Sequence, residues 1–146
     1  MVTRRGIGGP FARFQRPPKR DPFQPPDGWP GSGPEWLVFR ELERTGLKEG
    51  VDFLYQSVRF GGRQQKGGAI FDFEIYNPPD LCINVQSEFF HYSTVDQRSH
   101  DALRRAQVES QGVTLIFIDE ADLRKNARFF VRAALRFQDY SRMTGR

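Results

Sequence analysis

Alternating and continuous runs of apolar residues predict four β-strands. Residues 51–60 (VDFLYQSVRF), 69–76 (AIFDFEIY) and 81–87 (LCINVQS) combine alternating polarity with β-branched or aromatic side chains, which is typical of strands. In the second of them Phe71, Phe73 and Ile75 are expected on one face and Asp72 and Glu74 on the other. The nearly continuous apolar run at 113–119 (VTLIFID) is typical of a buried central strand.

Turn and capping residues separate these strands from three predicted helices. A helix begins near Pro34, with Ser32 or Gly33 as its cap, and ends before Gly46. The second helix covers about 94–111, where Gly112 closes it, and the third covers about 121–140. The order α-β-β-β-α-β-α predicts an α/β (or α+β) fold, with a mixed four-stranded sheet flanked by helices.

Residues 1–34 differ in composition from residues 35–146. They hold eight of the ten prolines, six glycines, and six Lys or Arg against two Asp, so they carry the whole net charge of +4. Such a segment buries too little apolar surface to fold alone. We therefore expect an extended arm followed by one domain. The arm either is a disordered solubilising tail or binds its own domain, a partner protein or a second copy of the chain, through anchors at Phe11, Phe14, Phe23 and Trp29.

Other features exclude several classes of protein. No apolar stretch approaches the roughly 20 residues that span a bilayer, and nothing resembles a signal peptide. The single Cys82 excludes disulfides and cysteine-based zinc sites. The 14 Phe residues predict a Phe-rich core. We expect a soluble, cytoplasmic protein with no membrane contact.

Several polar residues in and beside the predicted strands are not explained by the alternation of apolar and polar positions. Two amides stand two residues apart in the third strand, and an aromatic pair and a His follow. The motifs, in chain order, are Glu35 in the first helix, Leu54-Tyr55-Gln56, Ile70-Phe71-Asp72-Phe73, Asn84-Val85-Gln86, Phe89-Phe90-His91, and Asp101-x-x-Arg104 ahead of Gly112. In this order and spacing the chain, from Glu35 to Leu123, resembles the PD-(D/E)xK restriction-endonuclease-like superfamily, and within it the very-short-patch-repair-like small nuclease domains.

This resemblance implies a metal-dependent DNA endonuclease that hydrolyses phosphodiester bonds. It assigns catalytic roles to Asp72, Gln86, His91 and Glu35, and metal-ligand roles to Asp72, Glu35 and Asn84. The metal would be Mg²⁺ or Mn²⁺, because hard cations prefer carboxylate and carbonyl oxygens and can activate a water molecule.

The sequence departs from the superfamily pattern at two positions. The superfamily has an acid at position 84 and usually a Lys at 86, whereas this chain has Asn84 and Gln86. Glu74 or Glu88 could replace the missing carboxylate. A second hypothesis is a catalytically inactive protein with this fold and a structural role, for example as a phage virion or head-completion component; the protein would then be located in the virion and need no metal.

Simpler structural roles remain open for the same residues. Asp72 could pair with Arg59 or Arg63, Glu35 could favour the helix dipole, and His91 could be structural. Asp101 and Arg104 stand three residues apart and could pair on their helix.

Basic residues predict contacts with DNA. Arg124, Arg128, Arg132 and Arg136 recur every four residues in the last helix, and Arg63 and Lys66 lie in the loop 61–68. Like charges at this spacing destabilise a helix, so an anionic partner would explain them. A solvated face neutralised by other residues is the alternative.

Overall fold

The helices and strands follow the predicted order in the computed structural model, which describes residues 21–59, 69–87 and 95–144. Their bounds are α1 Gly33–Arg44, β1 Phe53–Arg59, β2 Ala69–Ile75, β3 Leu81–Gln86, α2 Val95–Glu109, β4 Thr114–Asp119 and α3 Glu120–Leu135, followed by one turn of 3₁₀ helix at Arg142–Thr144. The predicted α+β class, with a mixed sheet flanked by helices, is confirmed.

The four strands form one sheet in the order β1-β2-β3-β4. β1 pairs with β2 and β2 with β3 in antiparallel orientation, whereas β3 and β4 are parallel. A parallel pair needs a crossover connection, which α2 provides. The prediction that 113–119 is a central strand is wrong: within the described residues β4 ends the strand order. It is nevertheless buried, because α2 covers one face and α3 the other.

The chain beyond α3 covers β4. The predicted helix 121–140 is too long, since α3 ends at Leu135 and Phe137 takes a positive φ of 62°. The chain then turns back, and the Asp139 carboxylate accepts a hydrogen bond from the Phe117 backbone N–H at 3.0 Å. Asp139 also binds Arg105 of α2. Asp139 therefore links β4 to α2.

The sheet separates two hydrophobic cores. The larger one fills the space between the sheet and helices α1 and α3, and includes Phe53 and Phe73. The smaller one faces α2 and includes Phe71 and Phe117. All four of these rings are fully buried, which confirms the predicted Phe-rich core.

Helix α2 presents a largely polar side to the sheet. Leu103 is 58% exposed, whereas Asp101 is 4% exposed and Arg105 is half-buried with its guanidinium 4.7 Å from the centre of the Phe117 ring. Among the side chains of α2 that the structure describes, Val108 belongs to the smaller hydrophobic core. The layer between α2 and the sheet is therefore rich in charged and amide groups.

Residues 21–32 lie against the domain itself. The Trp29 ring lies 5.3 Å from that of Trp36, 5.1 Å from that of Phe39 and 4.8 Å from that of Tyr55. The Arg40 guanidinium donates to the Pro22 carbonyl at 2.7 Å. The predicted anchors Phe11 and Phe14 lie outside the described residues. In the described part of the chain, no helix combines the length and apolar character needed to cross a membrane.

Candidate active site

Asp72 lies in the middle of β2, where the hydrogen-bond ladders on both sides are interrupted. On the β1 side, Tyr55 pairs with Phe73 and Ser57 with Phe71, and Gln56 between them takes a left-handed φ of 56°. On the other side, the register of β2 with β3 ends at the pair of Phe73 with Ile83. Asp72 therefore has no regular strand partner in either β1 or β3.

The side-chain alternation of β2 reverses at Asp72. Phe73 and Ile75 belong to the core beneath α1 and α3, but Phe71 belongs to the core beneath α2. A regular strand would place residues 71 and 73 on the same face. The prediction that Phe71, Phe73 and Ile75 share a face is therefore wrong, and the left-handed Gln56 opposite Asp72 marks the point of reversal.

Two side chains connect β2 and β3 where the ladder ends. The Asp72 backbone N–H donates to Asn84 Oδ1 at 2.9 Å, and the Val85 backbone N–H donates to Asp72 Oδ2 at 2.7 Å. Each side chain thus replaces a missing backbone acceptor on the neighbouring strand. The amide oxygen of Asn84, which the resemblance assigns to a metal, serves here as a hydrogen-bond acceptor for the backbone.

Glu35 approaches the site from the first turn of α1. Ser32 caps this helix, and its Oγ accepts from the Glu35 backbone N–H at 3.2 Å. The Tyr55 hydroxyl donates to Glu35 Oε2 at 2.6 Å, and Gln56 Nε2 donates to the Tyr55 oxygen at 3.1 Å. Tyr55 therefore fixes the position of the Glu35 carboxylate, a role that the sequence analysis did not assign to it.

The surroundings of Asp72 raise the pKa of its carboxyl towards neutral pH. Burial raises the pKa of its carboxyl from 3.8 to about 7, and the negative charge of Glu35 also acts to raise this pKa. The hydrogen bond from Val85 and the positive charge of Arg104 in α2 act in the opposite direction. Burial, together with the hydrogen bond to Glu35, also raises the pKa of the Tyr55 hydroxyl above its ordinary value. Asp72 can therefore gain or lose a proton near neutral pH.

Gln86 lies between β3 and α2 rather than beside Glu35. Its side chain is 1% exposed, with Nε2 3.4 Å from Asp101 Oδ2. Its Oε1 is buried and has no hydrogen-bond partner among the described residues. The two residues of the Asp-x-x-Arg motif of α2 thus act in different places: Asp101 contacts Gln86, and the positive charge of Arg104 lowers the pKa of Asp72.

Glu74, a predicted replacement carboxylate, is buried between β1 and β3. It accepts a hydrogen bond from Ser57 Oγ at 2.5 Å and another from the Tyr76 hydroxyl at 3.3 Å. These contacts tie it to the strands around it. The other replacement, Glu88, lies outside the described residues, as do His91, Arg63, Lys66 and the side chain of Arg59.

The carboxylates of Asp72 and Glu35 suit a hard cation. The part of the chain that the structure describes contains no group of three or more His, Cys, Asp or Glu side chains placed to hold a metal ion. Magnesium, however, is commonly held by one or two carboxylates together with waters and substrate phosphates. Asp72 and Glu35 lie close enough for the charge of Glu35 to raise the pKa of Asp72. A cation bound by these carboxylates would offset this repulsion.

The four predicted DNA-binding arginines of the last helix fall into two groups. Arg124 forms an ion pair with Glu120 at 3.0 Å and stands over the Phe23 ring at 5.8 Å. The helix is then interrupted at Asn126, which has non-helical φ and ψ of −161° and 78°. The other three arginines follow this point and line a surface pocket of about 300 Å³ together with Asn126 and Phe129; they are Arg128, Arg132 and Arg136.

Comparisons with protein-family models, with curated proteins and with solved structures each gave no match.

Proposed function

We propose that this protein is a metal-dependent endonuclease that hydrolyses phosphodiester bonds in DNA, with Asp72 and Glu35 as its metal-binding carboxylates. The observation that carries the proposal is the interruption of both ladders at Asp72. Interruptions of this kind are found more often next to active sites than elsewhere, where they re-aim a side chain. A re-aimed carboxylate such as that of Asp72 suits the binding of a metal ion and a phosphate group.

The backbone of Gln56 supports this proposal. A left-handed conformation for a residue other than glycine costs about 1–2 kcal/mol, and strained residues of this kind cluster at functional sites. Gln56 is exposed and stands opposite Asp72 in the strand register, so no core packing requires its conformation. Its side chain instead supports Tyr55, which holds Glu35.

The residues of this site would have three separate roles: binding the metal ion, orienting its ligands and adjusting their charge. Asp72 and Glu35 would hold Mg²⁺ or Mn²⁺, which supplies Lewis-acid activation of the phosphate and of a water molecule when bound. Tyr55 orients Glu35, and the hydrogen bond from Val85 orients Asp72. Arg104 places a positive charge near Asp72 and favours its ionised form, the form that binds a cation.

The test is a cleavage assay on single-stranded, duplex and branched DNA, with Mg²⁺, Mn²⁺ or EDTA. Asp72→Asn and Glu35→Gln remove each charge but keep an acceptor for the Val85 N–H and the Tyr55 hydroxyl. Each should reduce cleavage at least about 100-fold, the upper end of the effect of a residue that merely supports a metal ligand. Asp27→Asn removes the same charge at an exposed turn and should leave cleavage unchanged.

A second function, a non-catalytic role in a larger assembly such as a phage virion, is favoured by one observation. Asn84 Oδ1 and Asp72 Oδ2 already accept backbone hydrogen bonds. The role of these two side chains can therefore be purely structural, namely to link β2 to β3. Residues 1–34 would then bind neighbouring proteins. Calorimetric titration with Mn²⁺ separates the two functions. Folded wild-type protein that binds no Mn²⁺ and cleaves no substrate would support the assembly role and overturn the nuclease proposal.

A further inference from the structure

The second half of α3 and its C-cap residue Arg136 form a basic surface that the proposed catalytic residues do not share. We define the α3 arginine pocket by its lining residues, which are Asn126, Arg128, Phe129, Arg132 and Arg136. From Ala127 to Phe137 the sequence contains these three arginines and no acidic residue. Asn126 begins this half of the helix, and its Oδ1 accepts from the Phe129 backbone N–H at 3.1 Å.

The guanidinium groups of this pocket lack anionic partners within the described part of the chain. The arginines that form ion pairs there are others, namely Arg40, Arg44, Arg105, Arg124 and Arg142. The Nε of Arg132 is moreover buried with no hydrogen-bond acceptor among the described residues. Three guanidinium charges with no described carboxylate beside them favour a ligand that supplies anionic oxygens.

An aromatic ring completes the pocket. Phe129 is 43% exposed, and its ring is supported by Phe130 at 5.0 Å and by Tyr140 at 5.7 Å between centroids. Tyr140 itself is 37% exposed. A large apolar ring that is held by its neighbours and open to solvent offers a platform on which a flat ring can stack.

We propose that the α3 arginine pocket binds single-stranded nucleic acid. Arg128, Arg132 and Arg136 contact consecutive phosphates, and Phe129 stacks against an unpaired base. Single-stranded nucleic acid fits better than a duplex, because in a duplex the base faces are already stacked inside the helix. This binding site goes beyond the proposed nuclease site and does not depend on Asp72 or Glu35.

The experiment measures binding of a fluorescein-labelled oligo(dT) of 20 nucleotides by anisotropy, in EDTA so that metal-dependent cleavage cannot occur. Arg128→Gln/Arg136→Gln removes two exposed charges from the pocket. Arg44→Gln/Lys48→Gln removes two exposed charges at and just after the C-terminal end of α1, outside the pocket, and serves as the matched control. We expect the first pair to weaken binding at least 10-fold and the control pair less than about 3-fold. The slope of log K against log salt should fall by about 1.4 in the first pair, at about 0.7 for each lost phosphate contact.

Phe129→Ala separates single-stranded nucleic acid from a general polyanion. Stacking of one base on an aromatic side chain is worth about 1–3 kcal/mol, so this variant should weaken oligo(dT) binding at least about 5-fold. Affinity for a duplex of the same length should not change. Asp72→Asn should bind oligo(dT) as the wild type does, which keeps this test independent of the nuclease proposal.

Three outcomes would overturn the proposal. Equal weakening in the two double variants would mean that only total charge matters. Unchanged binding by Phe129→Ala would exclude stacking. Competition by poly-glutamate as strong as that by unlabelled oligo(dT) would assign the pocket to an acidic protein segment instead.

Discussion

Replacing Asp72 with Asn should make the protein more stable at pH 8 than the wild type. Burial raises the pKa of the Asp72 carboxyl from 3.8 to about 7, so the folded protein holds a proton that the unfolded chain releases. Between these two values the folded wild type binds more protons than the unfolded chain, and its stability falls as the pH rises. The Asp72→Asn variant has no carboxyl to ionise at this position, so it would not lose stability in this way. Its amide oxygen still accepts a hydrogen bond from the Val85 N–H.

The size of the effect follows from the two pKa values. One pKa unit corresponds to about 1.4 kcal/mol, so the difference between 3.8 and about 7 corresponds to about 4 kcal/mol. Partial exposure of Asp72 reduces this figure, and we expect at least about 2 kcal/mol. The stability advantage of Asp72→Asn should therefore be smallest near pH 4, grow towards pH 7 and remain constant above it.

Urea denaturation of the wild type and the variant at half-unit steps from pH 4 to pH 8.5 measures this difference. Asp27→Asn removes a carboxylate from an exposed turn and should track the wild type across the range. A constant difference between Asp72→Asn and wild type at every pH would refute the reasoning, because it would mean that Asp72 ionises equally in the folded and unfolded chains. Added Mn²⁺ should stabilise the wild type at pH 8 but not Asp72→Asn, since the cation needs the carboxylate.

Three further substitutions test other parts of the structure by urea denaturation. Gln56→Gly should be more stable than Gln56→Val by about 1–2 kcal/mol, because only glycine takes a positive φ freely; the opposite order would mean that β1 is regular here. Tyr55→Phe should cost about 1 kcal/mol by removing the hydroxyl that binds Glu35, and a cost near zero would show that this hydrogen bond is not maintained in solution. Asp139→Ala should cost at least about 3 kcal/mol, since it leaves Arg105 half-buried without its partner, and a cost below about 1 kcal/mol would contradict that ion pair.

Local patterns were sufficient for the order and class of the elements but not for every boundary. Alternation, capping residues and glycine stops predict all seven helices and strands in the observed order. The end of α3 escapes prediction because the positive φ falls on Phe137, a residue type that gives no such signal. The position of β4 at the end of the strand order could not be predicted either. An apolar run indicates that both faces of a strand are buried, but it does not indicate which strands lie beside it.

The candidate site could be predicted in part. The motif order groups Asp72 with Glu35, and the charge of Glu35 acts on the pKa of Asp72. Residues 69–76 read as a regular strand, so the reversal at Asp72 has no signal within β2 itself and depends on the backbone of Gln56 in another strand. The pairing of Gln86 with Asp101 likewise depends on the crossover helix, whose packing the sequence does not specify.

The contact of Asp139 with Phe117 and Arg105 also has a consequence for synthesis of the chain. Ribosomes make the chain from its N-terminus, so every strand is complete before Asp139 emerges. Until then the Phe117 N–H on the outer side of β4 lacks this acceptor and can pair with an extended peptide nearby, including β4 of another nascent copy. We therefore expect a chain cut before Asp139 to aggregate more readily than the full chain.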